Sequence, residues 1–372
     1  MHIPHFPEMA LFQTDIEIPG NQNQQGKVIV TYNPPSLTDT NPNTAIGVEG
    51  AGDIPPLQKP KRLEIPLQPD TKHLKRFTVT MHQSPTKGYD MGAAYNDWFS
   101  ACFGYRVVLA YLGTNTRSVL GTLAPSKRNN ESWWSIWQQE LTLPGKSNKL
   151  LDRWLVPLSL AYLVLNAVSW CHAQIQAGTS AVQAIALTGA VLAALWSAVN
   201  LFVTRRHEAR IGFADCAPFL VISQTSVENV SARLTGGEEM DGTKFRPNIV
   251  VSGVESAFEE DFWAELGVGT GGNVRLLLTG NCVRCQSLNV DFQTGKMGVG
   301  ESGTVLKKLM KDRRVDKGAR FSPVFGRYSF LGRGSVGQRM RVGDEVQVLR
   351  RASEYTVTGE VDLRSLLVLG LS

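Results

Sequence analysis

From Phe77 to His82, FTVTMH, apolar and polar side chains alternate, the period of a half-buried strand. The period then changes. Met91, Tyr95, Trp98, Phe99 and Cys102 recur at helical spacing within Tyr89–Phe103. Tyr105–Leu112 returns to strand, and Met9–Ile18 and Lys27–Tyr32 predict two more strands nearer the start. Residues 33–72, rich in Pro, Gly, Asn and Thr, predict a long loop. Residues 1–125 thus read as a small, partial α+β domain.

Residues 209–350 carry many short apolar runs and few helical ones. Strands are expected at Phe219–Ser223, Asn248–Gly253 and Tyr328–Leu331, and after a turn at Gly343-Asp344. Helices are expected at Thr225–Leu234, with Ser226 as its cap, and at Val305–Met310. Val274–Gly295 reads as strand, short loop and second strand, with Cys282 and Cys285 on the loop. The fold class expected is mainly β within α+β: a closed or nearly closed barrel with peripheral helices. Residues 126–153 read as a linker and 351–372 as a C-terminal tail.

Between these parts the composition shifts. Residues 154–204 contain no Lys, Arg, Asp or Glu. Two apolar segments, 154–170 and 181–203, flank a short uncharged connection, and basic residues stand on both sides of the pair. This predicts an inserted transmembrane helical hairpin with both soluble parts facing the cytosol, hence a multi-pass membrane location. A buried hairpin in a soluble domain, or translated non-coding sequence, gives the same composition.

The chain has 372 residues and a net charge of +5, a mild excess that does not point to nucleic acid. Five thinly spread cysteines make no disulfide framework and fit a reducing compartment. The first residues lack a basic stretch followed by an apolar core, so no secretory leader is expected. The Cys282–Cys285 pair has several readings on residue type alone. A redox dithiol wants a helix after it, and a strand-like run comes next. A structural zinc site wants a second close ligand pair, and none is visible. One thiolate on a softer, higher-valent metal and plain burial of both sulfurs stay open.

Three stretches bear on that choice: Phe213–Ser223 (FADCAPFLVIS), Phe245–Asn248 (FRPN), and Cys282–Gly295 (CVRCQSLNVDFQTG). With Phe258–Asp261, Ser322–Gly326 and Val342–Asp344, this series resembles the MOSC domain, a molybdenum-cofactor-binding β-barrel. It looks most like the amidoxime reducing components and the C-terminal part of molybdenum cofactor sulfurases, in a fungal-type form. The resemblance covers about 211–350, and 76–121 looks like part of the domain that accompanies it. It implies Cys285 as the molybdenum ligand, Arg246 and Asn248 as cofactor-binding residues, and Asp215 as a catalytic carboxylate able to orient a substrate N–H. Cys282 and Cys216 are expected to pack as apolar contacts. A Pro-x-Lys-Ser stretch that helps to hold the cofactor phosphate in the family is absent, as is any pyridoxal-phosphate domain.

The implied activity is a molybdenum-dependent oxidoreductase that reduces N-hydroxylated compounds. No flavin or nicotinamide motif is present, so electrons are expected from a partner, a b-type cytochrome or a flavoprotein reductase. Seven basic residues in 307–320 suggest a docking patch for an acidic donor. A cofactor carrier without turnover and a degenerate homologue without cofactor are the alternatives.

Overall fold

The computed structural model describes residues 3–19, 25–35, 61–119, 123–125 and 209–359, less Gln83 and Arg333, with scattered positions between 169 and 190. Residues 1–125 and 210–372 form one compact unit and 126–209 another.

The first unit opens with β1 (Phe12–Glu17), β2 (Lys27–Tyr32) and β3 (Lys61–Pro66), an antiparallel sheet in that order. β3 lies in the stretch expected to be loop. Its Leu63 and Ile65 alternate correctly, but the neighbouring prolines mask the signal. β4 (Arg76–Met81) and β5 (Ser84–Asp90) form a hairpin, followed by α1 (Ala93–Phe103) and β6 (Ala110–Tyr111). β7 (Arg117–Ser118) pairs with β8 (Arg210–Ile211), which ties the N-terminal strands to the chain beyond residue 209.

β9 (Phe219–Ser223) leads into α2 (Gln224–Ser231). The cap is Ser223, whose Oγ accepts from the Ser226 N–H at 3.1 Å; Ser226, expected in that role, instead donates to Glu260 at 2.9 Å. Then come β10 (Ile249–Val251), β11 (Trp263–Val268), β12 (Val274–Val283), β13 (Val290–Asp291), β14 (Lys296–Met297), α3 (Val305–Leu309), β15 (Val324–Leu331) and β16 (Val346–Arg351). Six of these strands form one curled sheet in the order β10-β9-β15-β12-β11-β16, antiparallel except for β10 with β9. The architecture is mainly β with peripheral helices, as expected, and its sheet curls into a half-barrel consistent with the barrel expected.

Side-chain alternation sorts the sheet into two cores. Leu220 and Ile222 join Cys282, Phe245, Leu309 and Phe325 in one cluster; Val221 joins Trp263, Leu266, Leu276 and Leu278 in the other. Strict alternation along β12 would put Cys282 with Leu278. A bulge prevents it: Leu278 faces Ser329 and Gly280 faces Tyr328, so one extra residue on β12 switches the face. After Cys285 a short 3-10 turn, Gln286–Asn289, takes up the start of the expected second strand, and the strand that remains, β13, pairs with β14 instead of with β12. The alternation of Leu288, Val290 and Phe292 misled, because the turn buries Ser287, Leu288, Asn289 and Val290 in succession.

The membrane expectation is corrected. Among the described residues no helix is long and apolar enough to cross a membrane, against a transmembrane hairpin and a multi-pass location. Most of 154–204 lies outside the described residues, and the described helical positions there include Ser169, His172, Gln176 and Gln183, all exposed. Absence of charge marks a buried helix and a lipid-facing one alike, so composition alone could not make the distinction.

Candidate functional site

The loop from Gly212 to Pro218, between β8 and β9, is held from below. Arg117 of β7 is buried, and its Nε donates to the Gly212 carbonyl at 3.1 Å. Its Nη2 donates to the carbonyls of Ala214 and Asp215. The Asp215 carboxylate, half-exposed, is engaged on both oxygens. His82 Nε2 meets Oδ1, and Arg246 Nη2 lies 3.3 Å from Oδ2.

Arg246 closes a short 3-10 turn, Gly242–Phe245, in the left-handed region at φ 55°. That conformation is uncommon for a residue with a side chain. Phe245 fixes the turn by stacking on Phe325, with ring centroids 3.7 Å apart and planes 9° from parallel. Asn248 clips the next segment to β9: its Oδ1 accepts from the Leu220 N–H at 2.8 Å and its N–H donates to the Leu220 carbonyl at 2.9 Å. Its Oδ1 therefore serves the fold, and its Nδ2 is left for a ligand.

The two cysteines part company. Cys282 is buried in the first core cluster, whereas Cys285 is exposed, its sulfur 3.3 Å from Ser287 Oγ. Arg284 between them is a residue that sequence reasoning passed over. It is buried, and donates to the Phe325 carbonyl at 3.0 Å and the Phe245 carbonyl at 2.9 Å, beside both rings. Its own N–H donates to the Pro323 carbonyl at 2.9 Å. The Ser322–Gly326 motif thus works as a set of acceptors for Arg284. Gly326, at φ 82°, lets β15 pass β9; a Cβ there would sit 2.7 Å from Ile222 Cγ2. Arg284 Nη2 has no hydrogen-bond partner among the described residues. The available signal was a lone cation inside a cysteine pair bounded by apolar runs.

Cys216 is half-buried, its thiol pushed up by burial and next by the Asp215 charge, with Tyr328 opposing through a hydrogen bond. Burial also raises the Tyr328 hydroxyl. One donor atom each from His82, Asp215 and Cys216 lies within 4.8 Å of the others, a nitrogen, oxygen and sulfur set able to take a metal. The structure thus brings Asp215 and Arg246 into contact, fixes Asn248 to the strand that leaves the Asp215 loop, and leaves Cys285 open.

Residues 208–347 match the family model of the MOSC domain. The resemblance read from the sequence therefore holds. Over 148 residues the chain is 35% identical to mitochondrial amidoxime-reducing component 1 of Homo sapiens, covering 39% of this chain and 40% of that protein. It is 39% identical over 137 residues to mitochondrial amidoxime reducing component 2 of Rattus norvegicus, 37% of this chain and 38% of that one. It is 32% identical over 148 residues to molybdenum cofactor sulfurase of Emericella nidulans, 35% of this chain and 17% of that one. The match spans less than half the length of each relative. Asp215, Arg246, Asn248, Arg284 and Cys285 lie inside the MOSC region; His82 and Arg117 lie outside it.

Proposed function

We propose that the MOSC region binds molybdenum cofactor and that the chain reduces N-hydroxylated compounds with electrons from a protein donor. The observation that carries this is the open Cys285 thiol, next in sequence to a buried arginine whose Nη2 has no partner among the described residues. The residues fit the group. Cys285 offers a soft ligand with room for others, and Arg246, Arg284 and the Asn248 amide offer donors for phosphate and pterin. Bound there, molybdenum would supply two-electron redox chemistry. The chain's own part is to present Asp215, clamped on both oxygens with lone pairs to spare, as acceptor for a substrate N–H. The net change is R–NHOH plus two electrons and two protons to R–NH2 and water, the electrons coming from a one-electron haem or flavin donor protein.

The donor-facing surface is smaller than the charge run suggests. Arg313 is buried against Asp261, and Lys308 is tied to Glu301 and the Arg233 carbonyl. Lys307, Lys311, Arg314, Lys317 and Arg320 are at least partly exposed. Reversing Lys307, Lys311 and Arg314 to Glu should slow reduction by an acidic protein donor, less so as salt rises, and spare turnover with a small chemical reductant.

Elemental analysis of full-length protein made with ample cofactor tests the reading. Molybdenum should be present, lost in Cys285→Ser and kept in Cys282→Ser, with benzamidoxime reduction following the metal. Equal metal in both variants would overturn the ligand assignment. Metal without turnover would favour a cofactor carrier.

A further inference from the structure

We propose that His82, which lies outside the MOSC region, is a positioning residue for Asp215. This rests on the reading of Asp215 as the carboxylate that works beside the bound cofactor. The β4–β5 hairpin closes with Met81 opposite Ser84, which leaves two residues in the turn, His82 first. Such turns require positive φ at their first central position and favour Asn, Asp or Gly there. His82 takes φ 49° in spite of its side chain. A local rule is broken, and the gain is across the chain: the imidazole Nε2 reaches Asp215 Oδ1, 133 residues away.

The delivery is tied down at each step. Ser84 Oγ donates to the Ser118 carbonyl at 3.0 Å, which fixes the hairpin to β7. β7 pairs with β8, and Arg117 of β7 holds the carbonyls of the Asp215 loop. Hairpin and loop therefore share one anchor. Around the carboxylate stand His82, Arg246 and the Cys216 thiol. Arg246 alone would leave the carboxylate free to turn about its Cβ–Cγ bond; with His82 on the other oxygen the plane is set. The N-terminal hairpin thereby completes the site, and the MOSC region by itself lacks this contact.

The test uses the full chain. With molybdenum content measured for each protein, His82→Ala should lower kcat for benzamidoxime about ten- to hundredfold with little change in KM. His82→Gln, which keeps an N–H near the Nε2 position, should restore most of it. An unaltered kcat in metal-replete His82→Ala overturns the proposal. Nitrogen-15 NMR of labelled imidazoles gives a readout that needs no turnover: the His82 Nε2 resonance should shift in Asp215→Asn. A His82 signal indifferent to that change overturns the pairing whatever the metal content. A chain without molybdenum that still shows the shift upholds the pairing while it overturns the cofactor reading.

Discussion

Two arginine–aspartate pairs in this protein use the same chemistry to opposite ends. Arg313 and Asp261 lie at 2.5 Å with side chains 5% and 1% exposed; Arg246 and Asp215 lie at 3.3 Å with 52% and 38%. The first pair is sealed. Phe258 stacks on the Arg313 guanidinium at 3.9 Å, and burial raises the Asp261 carboxyl even though Arg313 opposes the shift. The second pair keeps lone pairs facing outward. Burial, more than the identity of the partners, separates a structural pair from one that can meet a ligand.

The sharpest way to break this contrast is to cut each pair at its arginine. Arg313→Ala should destabilise the fold by about 3–5 kcal/mol, because it strands a buried carboxylate. Chemical denaturation would show it, and a loss under about 1 kcal/mol would remove the distinction.

A second, smaller effect concerns pH. Asp316 is fully buried. Burial alone would raise its carboxyl, but hydrogen bonds from the Thr358 hydroxyl and N–H, Asn281 and Gly318 outweigh that and hold it below its usual value. A depressed folded pKa stabilises the fold above the ordinary carboxyl range. That stability is lost as pH falls through about 3.8 toward the lower folded value. Asp316→Asn should therefore lower stability at neutral pH by about 1–3 kcal/mol and flatten the acid limb below pH about 4. Parallel acid limbs in the two proteins would refute this.

The smallest expected change is Arg246→Ala, which should alter stability by no more than about 1 kcal/mol. Under the proposed function it should still weaken cofactor retention on dialysis. Unfolding comparable to Arg313→Ala would make Arg246 a structural residue.

These pairs also show what the sequence could reveal. β2 and β9 were legible to the residue, since short continuous apolar runs rich in β-branched residues, VIV and FLVI, read as strands. β11 was missed, because Trp263–Val268 carries Glu265 and Gly267 and reads as an acidic, aromatic stretch. The motifs FRPN and CVRC pointed to the candidate site through their resemblance to the MOSC domain. They said nothing of Arg117 or His82, nor of what the Arg284 inside CVRC holds, since those roles depend on contacts between distant segments and no periodicity records such contacts. The charge run at 307–320 overstated the basic surface for the same reason: Arg313 looks like its neighbours in sequence and faces inward in the fold.

The bulge on β12 behaves like a shift of reading frame. Upstream of Gly280 even-numbered side chains serve one core; downstream, Cys282 serves the other. Deleting the extra residue at Thr279 would remove the bulge and leave Gly280 opposite Tyr328 and Cys282 on its present face, whereas one further residue taken up in register would exchange the faces of those that follow. The face that Cys282 takes is therefore set by the count of residues before it as well as by their chemistry.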